Sequence, residues 1–116
     1  MGSENKMPPQ FVLSGIKVVD FSRLLPGPWA TQMMADFGAE VIKVEQPDIG
    51  DGARHNPPNY ETTSAYFHSV NRNKRDIALD LSKPEGQAVA HRLIAEADVV
   101  LESYRVGVTK KLGIDY

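Results

Sequence analysis

The residues able to do chemistry sit in short polar runs between apolar stretches. The first run is "SRLLPGP", Ser22–Pro28. Arg23 can meet a phosphate, and Leu24 and Leu25 can wall a flat or greasy group. A helix beginning around Pro28 would turn free N–H groups and a partial positive charge toward an anion. Read plainly, the same turn is a stiff strand-to-helix connection, and spacing alone leaves the two readings even. Glu45 stands about where a ribose-binding acid would lie in a dinucleotide fold. Yet Pro26 and Pro28 remove N–H donors, and neither a G-x-G-x-x-G nor a Walker A pattern occurs, so an NAD site is disfavoured. The second run, "NRNKR" (Asn71–Arg75), can grip phosphate or simply be a solvated strand entry. Lys110 and Lys111 carry the same ambiguity, and at a helix C-terminus they also suit the dipole.

Other polar residues point nowhere sharp. His55, His68 and His91 have no metal-ligand spacing, and no metal site is expected. Asp48, Asp51, Glu61 and Asp80 form no recognisable carboxylate pair. Ser22 and Ser69 lack a nucleophile-elbow context. From the residues alone comes an anion-friendly edge with no catalytic group.

The elements that would carry these runs alternate. "GIKVVDF" reads as a buried strand over Ile16–Phe21, and Trp29, Met33 and Phe37 recur at i, i+4 and i+8 as one helical stripe ended by Gly38. "AEVIKVE" gives a strand over Glu40–Glu45. "QPDIGDGARHNPPNYETTS" reads as a long loop, and "AYFHSVN" as a short helix. A third strand is expected near Asp76–Leu81. A helix follows in which Ser82 caps and Glu85 completes a capping box, with an apolar face of Val89, Ala90, Leu93, Ile94 and Ala97. A fourth strand over Asp98–Ser103 precedes a short helix bearing Lys110 and Lys111. Alternating strands and helices predict an α/β fold, a Rossmann-like parallel sheet with flanking helices. Two helices and part of a third cannot cover both faces of four strands. The sequence is therefore read as the front of a longer protein, with a complete small flavodoxin-like domain as the alternative. Residues 1–12 read as a flexible lead-in and 13–116 as the structured part.

The totals agree with a globular class: 116 residues, 41% hydrophobic, 24% charged. A net charge of −2 argues against nucleic-acid binding. No apolar run reaches the roughly 18 residues needed to span a bilayer, so no membrane partner is expected. There is no Cys, so neither disulfide nor thiolate metal site is available.

The motifs taken together go further. "LSGIKVVDFSRLLPGPWATQMMADFGAEVIKVEQP", "GDGAR", "SAYFHSVNRNKRDIALDL" and "KPEGQAVAHRLIAEADVVLESYRVGVTKKLGIDY" closely resemble the start of the family III CoA-transferases, the group of formyl-CoA transferase and carnitine CoA-transferase. The resemblance covers nearly all of 13–116, and the combination is far more specific than any one piece. It implies that the strand–turn–helix edge holds coenzyme A, within the N-terminal part of a large CoA-binding α/β domain. Carried over by position, Leu25, Pro26 and Gln46 fall on CoA contacts. Leu79, Asp80, Leu81 and Ser82 flank the nucleotide end. Ser103, Tyr104 and Arg105 lie on the loop after the fourth strand, and Lys111 falls where a basic residue faces phosphate. Arg23, read above as a phosphate partner, joins this set. Gln46 replaces a residue that is often Arg, Ser103 a frequent Asn, and Ser82 a frequent basic or polar residue. Arg23, Lys74 and Arg105 are the candidates to compensate.

The resemblance also implies a nucleophilic Asp downstream of residue 116, which forms an aspartyl anhydride and then an aspartyl-CoA thioester while CoA moves between carboxylic acids. No residue of 1–116 matches it, so no catalytic residue is named and this segment alone is expected not to turn over. The substrates implied are an acyl-CoA and a carboxylic acid, with no tightly bound cofactor. The family forms an interlocked homodimer, so a segment alone is expected to expose sheet and core surface and to be sticky. The expected location is the cytoplasm, with the mitochondrial matrix as the alternative. Two other functional readings stand beside the transferase: an α-methylacyl-CoA racemase using downstream acid/base residues, and a non-catalytic CoA-binding fragment.

Overall fold

The computed structural model describes residues 11–60 and 63–115. All but Phe11 and Val12 of the expected lead-in, together with Tyr116, lie outside the described residues. Four parallel strands form the sheet: β1 (Lys17–Asp20), β2 (Glu40–Glu45), β5 (Arg75–Ala78) and β6 (Val99–Leu101), in the spatial order β5-β2-β1-β6. Between β2 and β5 lie a 3₁₀ turn (Gly52–His55), a two-stranded ribbon of β3 (Asn59–Tyr60) and β4 (Thr63–Ser64), and α2 (Ala65–Asn71). Helices α1 (Pro26–Asp36) and α3 (Pro84–Ala95) connect β1 to β2 and β5 to β6, and α4 (Val108–Lys111) follows β6.

The alternation of a strand splits the core in two. Val18 and Val41 point to one face, where Ala35 of α1 and Ala39 cover them. Val19, Phe21 and Val44 point to the other, against Ala90 of α3 and Leu81. Leu93, Ile94 and Ala97 join this second cluster, as the apolar face of the α3 sequence requires. Each crossover thus places one helix on one face. The sheet direction reverses in sequence at the gap between β1 and β6, the switch point of an open α/β sheet.

Several boundaries differ from expectation. The first strand stops at Asp20, although Phe21 still donates to the Leu101 carbonyl at 2.8 Å. The third begins at Arg75 and ends at Ala78. Asp80 Oδ1 takes the Ser82 N–H and hydroxyl, and this local turn outcompetes the ladder. That same bond occupies Ser82, so the predicted capping box does not form. Lys83 is the N-cap of α3 and offers no side-chain cap. The fourth strand is shortened to Val99–Leu101, and the long loop contains the 3₁₀ turn and ribbon.

Helix α1 is turned the other way. Its buried residues are Pro28, Thr31, Gln32 and Ala35, while Trp29, Met33 and Phe37 are 56%, 49% and 53% exposed. The inward face is held by polar contacts rather than by the apolar stripe. Thr31 donates to Asp20 at 2.5 Å, and Gln32 accepts the Arg72 N–H at 3.0 Å. Gly27 lies so close to Ser22 that a Cβ there would stand 2.3 Å from the serine's own Cβ.

Candidate functional site

The loops that leave the carboxyl ends of all four parallel strands enclose a cavity of about 320 Å³. That is the edge where open α/β sheets hold ligands, and the volume falls at the small end of ligand pockets. Arg23 comes from the loop after β1, Gln46, Gly50 and Asp51 from the loop after β2, and Leu79–Ser82 from the turn after β5. Tyr104 follows β6, and Val108 and Leu112 close the wall from the α4 side. A more apolar hollow of about 470 Å³ lies along the β6 edge between His91, Ile94, Val100 and Ile114. It gathers fewer polar groups and only one of the four strand-end loops, so the first cavity is the candidate site.

The predicted residues divide between its wall and its surroundings. Arg23, Gln46, Leu79, Asp80, Leu81, Ser82 and Tyr104 line it together. The Arg23 guanidinium sits 5.2 Å from the centre of the Tyr104 ring, within cation–π range. Burial pushes the Tyr104 phenol above its ordinary pKa, so it stays a neutral donor and acceptor. Asp80 is held below its ordinary pKa, first by the Ser82 hydroxyl and then by the Ser82 N–H. Leu25 and Pro26 lie outside the lining, at the start of α1. Ser103 also lies outside, its hydroxyl 3.4 Å from the Arg23 N–H. Arg105 and Lys111 are exposed, Lys111 on the helix whose Val108 faces the cavity.

The expected anion-holding helix start is weak in this geometry. Helix α1 begins at Pro26 with Pro28 two residues on, so of its first three residues only Gly27 has an N–H. The basic run also turns inward on its own chain. Arg72 and Asn73 both bond Asp36, and Arg75 stands 3.7 Å from Glu40. Lys74 is buried, donating to Asp20 at 3.3 Å, the Pro28 carbonyl at 2.9 Å and Asn71 at 2.7 Å. Burial lowers its pKa to about 8. Lys74 is thus engaged within its own chain, whereas Arg23 lines the cavity and Arg105 is exposed.

The cavity wall at Glu45 and Asp51 belongs to a polar network that sequence reasoning missed. Lys43 and Asp51 are fully buried and 2.8 Å apart. That contact is Coulombic: Asp51 Oδ2 takes no aligned hydrogen bond, while Lys43 donates to the Ser22 carbonyl at 3.1 Å. Asp51 Oδ1 accepts the N–H groups of Leu24 and Ala53, each at 2.9 Å. Glu45 accepts the Asp51 N–H at 2.6 Å and a two-pronged contact from Arg54, 2.8 Å on each oxygen. Both Glu45 oxygens already accept hydrogen bonds from its own chain, which weighs against a ribose-binding role. Arg54 also pairs with Asp76 at 2.8 Å and lies 3.8 Å over the Phe67 ring. Partial burial, then the nearby Glu45 carboxylate, raise Asp76 to about 6, while Arg54 and Asp76 hold Glu45 down at about 2 against its own burial. One signal was available: a lysine in the middle of "EVIKVE", on a strand covered on both faces, must find an anion. Among the described residues no group of three or more His, Asp or Glu could hold a metal ion, and no helix is long and apolar enough to cross a membrane.

The sequence pattern of CoA-transferase family III matches residues 13–116. A succinate–glutarate CoA-transferase of Agrobacterium fabrum is 48% identical over 97% of this chain, which spans 29% of that protein. A formyl-CoA:oxalate CoA-transferase of Escherichia coli is 43% identical over 90% of the chain, or 25% of its own length. A CaiB/BaiF family protein from Brucella suis superimposes with a TM-score of 0.87 at 45% identity, covering 93% of this chain and 30% of that one. The chain thus spans less than a third of the relatives it matches. With the family's pattern running from Leu13 to the last residue, and the fold superimposing closely on a CaiB/BaiF family structure, the chain belongs to CoA-transferase family III.

Proposed function

We propose that residues 13–116 form the N-terminal part of the CoA-binding domain of an enzyme that moves CoA between carboxylic acids. The observation that carries this is the cavity at the strand ends, in a chain whose family is CoA-transferase III. Seven of the residues aligned by resemblance with CoA contacts, or read as a phosphate partner, line that cavity. Its wall mixes what the ligand needs: an arginine for phosphate, a tyrosine ring for a flat face, and leucines for an apolar stem. Leu25, Pro26, Ser103, Arg105 and Lys111 would act at its rim.

The chemistry proposed is acyl transfer through a carboxylate nucleophile located downstream of residue 116. A carboxylate is a weak nucleophile, so binding energy gathered from the distant nucleotide must help drive the reacting end together. This segment supplies that grip: Arg23 and Tyr104 orient the ligand, and the Asp80–Ser82 turn shapes the floor. The donor and acceptor of the relatives suggest the assay panel, succinyl-CoA or formyl-CoA with glutarate or oxalate.

Titration of CoA, dephospho-CoA and NAD against the protein tests the reading. CoA should bind best, and Arg23→Ala and Tyr104→Ala should each weaken it by about 1–2 kcal/mol, the size of a charge-assisted or stacking contact. A protein that takes NAD as tightly as CoA, or that ignores both substitutions, would overturn it.

A further inference from the structure

We propose that the buried Lys43–Asp51 pair is a positioning device for the cavity wall, fixing the turn after β1 so that Arg23 stands over Tyr104. The inference rests on the CoA reading above for its ligand, and on geometry for everything else. Leu24 adopts φ +68°, a left-handed conformation that leucine avoids. Its N–H is held by Asp51 Oδ1 at 2.9 Å, and the preceding turn is held from below, where Lys43 donates to the Ser22 carbonyl at 3.1 Å. One residue on each side of Arg23 is thus tied to the same ion pair.

The pair is anchored where it cannot wander. Lys43 belongs to the central strand β2, and the loop carrying Asp51 is tied to the end of that strand by its own N–H, given to Glu45 at 2.6 Å. Both side chains are shut from solvent. A buried ion pair is poor evidence of a stabilising role, because an apolar pair of similar volume often serves as well. What an apolar pair cannot do is accept the Leu24 N–H and hold the Ser22 carbonyl at once. Lys43 lies outside the cavity lining, and Asp51 lines it with its carboxylate shut from solvent, so in this scheme the pair acts through Arg23 and the turn.

Two double variants separate the roles. Lys43→Met with Asp51→Leu removes charge and acceptor together. Lys43→Met with Asp51→Asn removes the charge but keeps an oxygen for Leu24. The first should weaken CoA binding about tenfold, the factor expected when a left-handed leucine loses its tether, and should lose amide-exchange protection at Leu24. The second should keep that protection and lose less affinity. Adding Leu24→Gly to the first should recover most of the affinity, because glycine enters the left-handed region freely, while raising Tm not at all. A purely structural pair predicts no such rescue. The inference is overturned if the first variant binds CoA like the wild type, or if glycine at 24 rescues nothing. Should the first variant not fold, the wild-type amides decide. Protection of the Leu24 N–H comparable with that of Phe21, which is bonded into the sheet, supports the tether, and free exchange at Leu24 refutes it. If the wild type takes no CoA, the functional reading falls, while Leu24 exchange still decides this one.

Discussion

Gly86→Ala sets helix propensity against packing, and the structure decides the sign. Gly86 is the third residue of α3, where alanine is worth about 1 kcal/mol over glycine. An alanine Cβ at 86 would stand 2.0 Å from the Asp80 carbonyl oxygen, 2.6 Å from its carbon and 3.2 Å from its nitrogen. An unforced carbon–oxygen contact is about 3.3 Å or more, so the gap must open by over about 1 Å. Both partners are backbone, and no rotamer can give way. Overpacking of this kind costs about 3–4 kcal/mol, at the upper end of small-to-large substitutions. The net is a loss of about 2–3 kcal/mol, and at about 4 °C per kcal/mol for a chain of this length Tm should fall by about 8–12 °C. The turn Asp80–Ser82 is part of the cavity wall, so CoA affinity should fall with it. Thermal unfolding by circular dichroism and a CoA titration measure the two effects. A Tm that rises by a few degrees would mean propensity alone governs position 86, and the close packing of α3 on the Asp80 turn would be refuted.

Three further expectations follow from buried and exposed groups. Asp76 has a folded pKa of about 6 against an ordinary 3.8, so its contribution to stability falls as pH rises from about 4 to 6, whereas Glu45, at about 2 against 4.5, stabilises above pH 4.5 and is lost toward pH 2. Asp76→Asn should flatten Tm against pH between 4 and 6, and an unchanged slope there would remove Asp76 from the account. Lys74, at about 8 against 10.5, binds its proton more weakly folded than unfolded, so stability should rise between pH 8 and 10.5 by up to about 1.4 kcal/mol per unit; Lys74→Met should abolish that rise in urea titrations at pH 8, 9 and 10. Replacing Trp29, Met33 and Phe37 together by serine should reduce concentration-dependent light scattering and move stability by no more than about 1.5 kcal/mol, because all three stand outside the core; an unfolded triple variant would show that α1 is oriented otherwise.

What could be read in the sequence and what could not divides along the range of the interaction. Strand β2 was placed to the residue because "EVIKVE" carries its own bounds: Gly38 in the left-handed region at φ +105° before it and a proline after it. Helix α2 was equally local, its N-cap Ser64 accepting the Tyr66 N–H two residues on. Where a local signal failed, a competing contact had taken the group. Ser82 has the right spacing to cap α3, but Asp80 lies two residues back and claims the hydroxyl first. The Trp29–Met33–Phe37 stripe has helical periodicity, but the inward side of α1 is set by Asp20 and Arg72, which reach Thr31 and Gln32 from 11 and 40 residues away.

The same division runs through the site. The residues of its wall lie at strand ends, and strand ends are visible in sequence, so their meeting was foreseeable. The polar network joined to them was not, because it joins positions with no shared periodicity: Asp20 with Lys74 across 54 residues, Leu24 with Asp51 across 27, Arg54 with Asp76 across 22. Each is a charge or donor that burial obliges to find a partner, and sequence shows the obligation without the partner. Lys43 is the clearest case. Its neighbours Val41, Ile42 and Val44 require a strand covered on both faces, and a lysine there must have an anion within reach. The nearest acids along the chain are Glu40 and Glu45, yet the partner is Asp51, because residues 46–51 fold back over the end of β2 and the Asp51 N–H fastens them to Glu45. The loop that composition marked as irregular is thus the piece that completes the ion pair, and through Leu24 it reaches the cavity.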